Sequence, residues 1–153
     1  MLVMTAKVDK KKIFMILAGV VAIIAALVLL FGGSSNNTPT VSTVSSNEDR
    51  VQFLASFGWD VAKTPVQTSQ VRIPVAESDV FERYNALQKS MGYDLSEFAG
   101  KTVMRYVYTV KNYPGATEPV YATILISNNQ VIGGDVTDTA ATGVVRGFTM
   151  PKS

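Results

Sequence analysis

Four kinds of hydrophobic pattern follow one another along the chain, and each predicts a different element. Ile13 to Phe31 (IFMILAGVVAIIAALVLLF) is apolar without interruption. About 20 helical residues at 1.5 Å each cover the roughly 30 Å hydrocarbon core of a bilayer, so this run predicts one transmembrane helix. Gly32 to Asn47 (GGSSNNTPTVSTVSSN) is small, polar and nearly uncharged, a composition that predicts a flexible tether. Beyond it the helical and two-residue periods of a folded domain begin.

Ser46 and Asp49 stand in capping-box spacing, with acids at the positive end of a helix carrying Val51, Phe53, Leu54 and Phe57 and stopping at Gly58. Trp59 and Val61, then Val71 and Ile73, alternate with polar residues on either side of Thr64-Pro65 and predict two short strands. Val80, Phe81, Tyr84, Leu87 and Met91 follow a helical rhythm between a start at Glu77 or Ser78 and Gly92. Tyr93 to Gly100 predicts a compact turn with Leu95 and Phe98 inward.

In Thr102 to Lys111 (TVMRYVYTVK), Met104, Tyr106, Tyr108 and Val110 share one face and Arg105, Thr109 and Lys111 the other, so one face is expected to meet core and the other water. Val120 to Ile126 (VYATILI) is a further strand, Asn128-Asn129 a tight turn, and Gln130 to Thr137 the hairpin partner. A last strand is expected around Gly143 to Thr149. The order predicts an α+β fold: a two-layer sandwich of an antiparallel sheet with two helices on one face, preceded by one transmembrane helix. The expected division is a basic cytoplasmic tail (1–12), a transmembrane signal anchor (13–33), a flexible linker (34–47) and an extracytoplasmic domain (48–153).

Charge sharpens this division. Lys7, Lys10, Lys11 and Lys12 precede the apolar run and the next basic residue is Arg50, so the positive-inside bias puts the tail in the cytoplasm. From residue 34 onward ten basic residues face eleven acidic ones. The sequence pI of about 8.9 therefore reflects membrane topology, and no nucleic-acid partner is expected. A cleaved signal peptide is the competing reading, but the apolar run exceeds the usual 7–15-residue core and ends in Leu29, Leu30, Phe31. Without cysteine there is neither a lipoprotein anchor nor a disulfide.

Candidate chemistry is narrowed by what is missing. With no histidine and no cysteine, Ser-His-Asp and Cys-His sites and the usual zinc and haem ligand sets are excluded. No Walker loop, G-x-S-x-G, G-x-G-x-x-G or S-x-x-K occurs, and no cofactor or metal is expected. Carboxylate pairs such as Asp94/Glu97 or Asp135/Asp138 leave a glycosidase formally open. Gly133, Gly134 and Asp135, in VIGGDV, form the candidate surface feature. No helix follows to turn them into a phosphate loop, so the glycines predict a bent or bulged strand, or the close approach of another element. Ala18, Ala22 and Ala26 recur every fourth residue and are candidates for transmembrane helix packing, through which an oligomer could form.

Phe53 to Val61 (FLASFGWDV), Arg72 to Pro74 (RIP), Arg83 to Lys101 (RYNALQKSMGYDLSEFAGK), Val103 to Pro114 (VMRYVYTVKNYP) and Val131 to Val136 (VIGGDV) together resemble a bacterial family, domain of unknown function 4830. The resemblance spans most of Arg50 to Phe148 and implies a small single-pass membrane protein of Gram-positive bacteria with an exported domain. It brings no assigned activity and no catalytic residue. The expected function is a non-enzymatic, membrane-anchored extracytoplasmic binding or sensing module with a protein or envelope partner. The alternatives are a carboxylate-based cell-wall glycan hydrolase and a transmembrane signalling component.

Overall fold

The computed structural model describes residues 42–76 and 78–152. The expected transmembrane helix, with Ala18, Ala22 and Ala26, lies outside the described residues. No helix among the described residues is long and apolar enough to cross a membrane.

The described chain runs α1 (Asn47–Ala55), β1 (Gln67–Arg72), α2 (Asp79–Ser90), a 3₁₀ turn (Leu95–Phe98), β2 (Thr102–Val110), β3 (Val120–Ser127), β4 (Gln130–Asp138) and β5 (Val145–Arg146). The five strands form one antiparallel sheet in sequential order, giving an α+β fold with α2 inserted between β1 and β2. Local chemistry explains the boundaries. Ser46 Oγ accepts the Asp49 N–H while the Asp49 carboxylate accepts the Ser46 N–H, closing the expected capping box. Ser78 caps α2 with its side chain alone, its Oγ accepting the Phe81 N–H. Asn128 and Asn129, at φ 49° and 60°, make the two-residue turn between β3 and β4.

The sheet is apolar on both faces, and this corrects the expected placement of the helices. On the first face Phe53 and Leu54 of α1 pack with Trp59, Tyr108, Ile124 and Phe148. On the second, Phe81 and Tyr84 of α2 pack with Leu95, Val103, Leu125 and Ile132. The two helices therefore cover opposite faces rather than one. The consecutive Ile124, Leu125 and Ile126 supply the reason, since adjacent strand residues point to opposite sides and all three are buried. The second face of β2 is likewise no simple water face, because Val103 and Val107 are buried on either side of Arg105.

The outer edge of β4 is completed by three unrelated segments. β5 pairs with Val136 and Thr137. The Gln88 side chain takes both backbone groups of Gly134. Thr43 bridges to Gln130, with hydrogen bonds from Val131 N–H to the Ser42 carbonyl and from Val44 N–H to the Asn129 carbonyl. Val44 is buried in the first-face core, so the end of the expected linker belongs to the fold. The expected first strand at Trp59 and Val61 shrinks to a single bridge between Val61 and Val110. The expected last strand shrinks to Val145–Arg146.

Candidate functional site

Gly133, Gly134 and Asp135 are buried in β4 rather than forming a surface feature. The register of β3 and β4 shifts between Leu125 and Ile126, leaving Ile132 as the extra residue of a bulge, so the strand is deformed one residue before the glycines. The glycines themselves permit close approach. A Cβ on Gly133 would fall 2.6 Å from Gln88 Oε1, and one on Gly134 would meet Phe148 and the Thr123 carbonyl. The bare backbone is thus the seat of α2 on one face and of Phe148 on the other.

Because α2 is anchored at the β4 edge, it leaves part of the second face open. Between its first turns and the sheet lies a cavity of about 490 Å³. Val71, Ile73, Phe81, Leu95 and Leu125 form its apolar wall, and Tyr84, Arg105, Thr123, Asp135 and Thr137 its polar end. A second hollow of about 530 Å³ shares Arg105, Thr123 and Thr137 and continues past Gln67, Val107 and Tyr121. Arg105 therefore lines both hollows, of which the first is the trough between α2 and the sheet. Val80, 79% exposed, lies at the rim of the trough.

Asp135 faces this cavity, 7% exposed. Its Oδ2 accepts the Tyr84 hydroxyl at 2.7 Å and its Oδ1 the Thr137 hydroxyl at 2.7 Å. Burial pushes its pKa above the ordinary carboxylate value, with both hydroxyls and the Arg105 charge acting in the other direction. Burial, reinforced by the neighbouring carboxylate, pushes the Tyr84 phenol up as well, so Tyr84 is a neutral donor. Arg105 donates from Nη2 to Gln67 Oε1 at 3.0 Å, while its buried Nε has no hydrogen-bond partner. The ion pairs among the described residues are Lys89–Asp94 and Lys111–Asp60, and neither involves Arg105 or Asp135.

The carboxylate pairs suggested by the sequence do not converge on the cavity. Asp135 stands opposite Thr123 and Asp138 opposite Val120, so the two occupy opposite faces of β4. Asp94 is engaged by Ser96, Asn85 and Lys89 at the start of the 3₁₀ turn. Among the described residues Asp135 is the one carboxylate in the cavity lining. Among the described residues no group of three or more carboxylates could hold a metal ion. Sequence reasoning missed Arg105, Tyr84 and Gln88. For Arg105 a signal was available, since it alternates with Val103 and Val107 and so sits on a half-apolar face.

No curated protein and no solved structure matches the chain. A family model, domain of unknown function (DUF4830), matches residues 53–136, a span that contains every residue of the cavity lining except Thr137. With more than half of its length in that match, the chain belongs to the family of domain of unknown function 4830.

Proposed function

We propose that the protein is a non-enzymatic binding or sensing module, anchored by the apolar run Ile13 to Phe31, whose extracytoplasmic domain takes its ligand in the trough between α2 and the second face of the sheet. The observation that carries this reading is the trough itself. It joins an apolar wall to a few convergent polar groups in a volume of about 490 Å³, within the usual range of roughly 300–1,000 Å³ for small-molecule sites. Uneven cover of the two sheet faces supports it, because α1 and Phe148 seal the first face whereas α2 leaves Arg105 and Asp135 bordering open space. A lone, hydroxyl-capped carboxylate favours binding over glycoside hydrolysis, which needs two carboxyl groups facing one bond.

The test is hydrogen–deuterium exchange on the full chain in membranes, with and without a soluble extract of the cell envelope. Protection is expected on β2, β3 and β4 around Arg105, Thr123 and Asp135. Thr123→Trp, which fills the trough from the sheet side, is expected to abolish it. Protection confined to the first face, or protease resistance of the domain in intact cells, would overturn the proposal.

A further inference from the structure

Arg105 acts electrostatically on Asp135, yet its guanidinium has hydrogen-bonding capacity that no acid among the described residues fills. Both oxygens of Asp135 already accept hydroxyl donors. Arg105 has only the neutral Gln67 amide, its Nε is buried without an acceptor, and no carboxylate lies within ion-pair distance of its guanidinium among the described residues. A buried donor without a partner is costly, and a guanidinium is matched best by a planar anion that accepts from two of its N–H groups. The missing group at the polar end is therefore an anionic acceptor, and one guanidinium matches a single negative charge.

The remaining wall decides what carries that charge. Val71, Ile73, Phe81, Leu95 and Leu125 offer only hydrocarbon. A peptide lying against them would bury amide groups without partners, whereas an alkyl chain gains from the same burial. We propose that the trough binds an alkyl carboxylate of the fatty-acid type, its carboxylate on the Arg105 guanidinium and its chain running between Phe81 of α2 and Leu125 of β3. The assignment rests on the trough being the binding site. It makes Arg105 the residue that selects the head group, with Thr123 and Thr137 as neighbouring hydroxyls.

The experiment titrates the ¹⁵N-labelled full chain in lipid nanodiscs with dodecanoate, dodecanol and dodecylammonium, using empty nanodiscs to correct for partition into lipid. Dodecanoate is expected to shift the Arg105 Nε–H and the Leu125 and Thr137 amides saturably, and dodecanol to bind about tenfold more weakly, as loss of one charge-assisted contact implies. Arg105→Gln is expected to erase that difference and Arg105→Lys to keep part of it. The three probes on the unsubstituted chain decide the matter even where a variant folds poorly. Equal binding of dodecanoate and dodecanol, or tighter binding of dodecylammonium, overturns the carboxylate assignment. A trough protected by envelope extract yet unmoved by all three probes overturns the ligand class alone. A trough unmoved by both overturns the binding site as well.

Discussion

Gln88 stands in for a β-strand at Gly134. Its side-chain amide donates from Nε2 to the Gly134 carbonyl at 2.9 Å and accepts the Gly134 N–H on Oε1 at 2.8 Å, the two bonds a neighbouring strand would make. Gln88 is 0% exposed, so neither backbone group of Gly134 has water to fall back on. Replacing Gln88 by alanine leaves both groups unpaired and opens a void beneath α2. The expected loss is about 2–4 kcal/mol in the denaturant midpoint of the full chain. The Gly134 amide should exchange faster in the same variant, whereas a loss of helix packing alone would leave that amide protected.

The glycine at the same contact is equally constrained. A Cβ on Gly134 would lie 2.5 Å from Phe148 Cζ and against the Thr123 carbonyl, one a core ring and the other backbone of the adjacent strand. Gly134→Ala is expected to cost about 3 kcal/mol or more, because neither neighbour can withdraw without unpacking. Gly115 serves as the reference: at φ 71° it has no atom within 4 Å of a Cβ. Its alanine variant should lose only about 1–2 kcal/mol, the left-handed backbone penalty. Paired denaturation curves check the difference, and equal losses would count against close packing at Gly134.

These contacts mark where the sequence is readable and where it is not. The Ser46–Asp49 box, the Asn128-Asn129 turn and the strands around them are decided by residues within a few positions of one another, so their pattern announces them. The seating of α2 is not local. The apolar rhythm puts Val80 inward, yet Val80 is 79% exposed while the polar Asn85 and Gln88 are buried. Asn85 Oδ1 accepts the Leu95 N–H and Gln88 serves Gly134, so the helix turns toward backbone groups that periodicity does not register. The trough inherits this limit, since Arg105 and Asp135 meet open space only because α2 is held at the β4 edge.

Acid should strengthen the fold through Asp135. Burial raises its folded-state pKa, so its contribution is fully present below the ordinary carboxylate value of about 4 and is lost as pH rises through the raised value. Asp49 and Asp94 act in the opposite direction. Hydrogen bonds from Ser46 and Ser45 lower the first, and those from Ser96 and Asn85 lower the second. Their contribution is present above about 4 and is lost as pH falls through the folded values. Between about 4 and the raised value the Asp135 effect acts without that opposition. Asp135→Asn, which can still accept from Tyr84, is expected to flatten the stability profile there and to match or exceed the native chain at neutral pH. A denaturant midpoint measured across that window in both proteins checks the sign.

Trp59 ties the C-terminal segment to the rest of the domain. Its indole N–H donates to the Phe148 carbonyl at 2.6 Å, and its ring stacks on Tyr113 at 5.8 Å with only 8° between planes. Phe148 in turn meets Phe53 edge-on and occupies the space above Gly134. β5 contributes only two residues of strand pairing, so the indole bond, together with the rings of Phe53, Phe57 and Tyr93 around Phe148, helps to hold this segment in place. Trp59→Phe keeps most of the ring but leaves the Phe148 carbonyl buried without its donor, an expected loss of about 2 kcal/mol. The loss should appear first as faster amide exchange at Val145, Arg146 and Phe148, with β2 and β3 unchanged. Uniform loosening of the whole sheet would instead mean that Trp59 acts by filling volume, and that the hydrogen bond contributes little to holding β5.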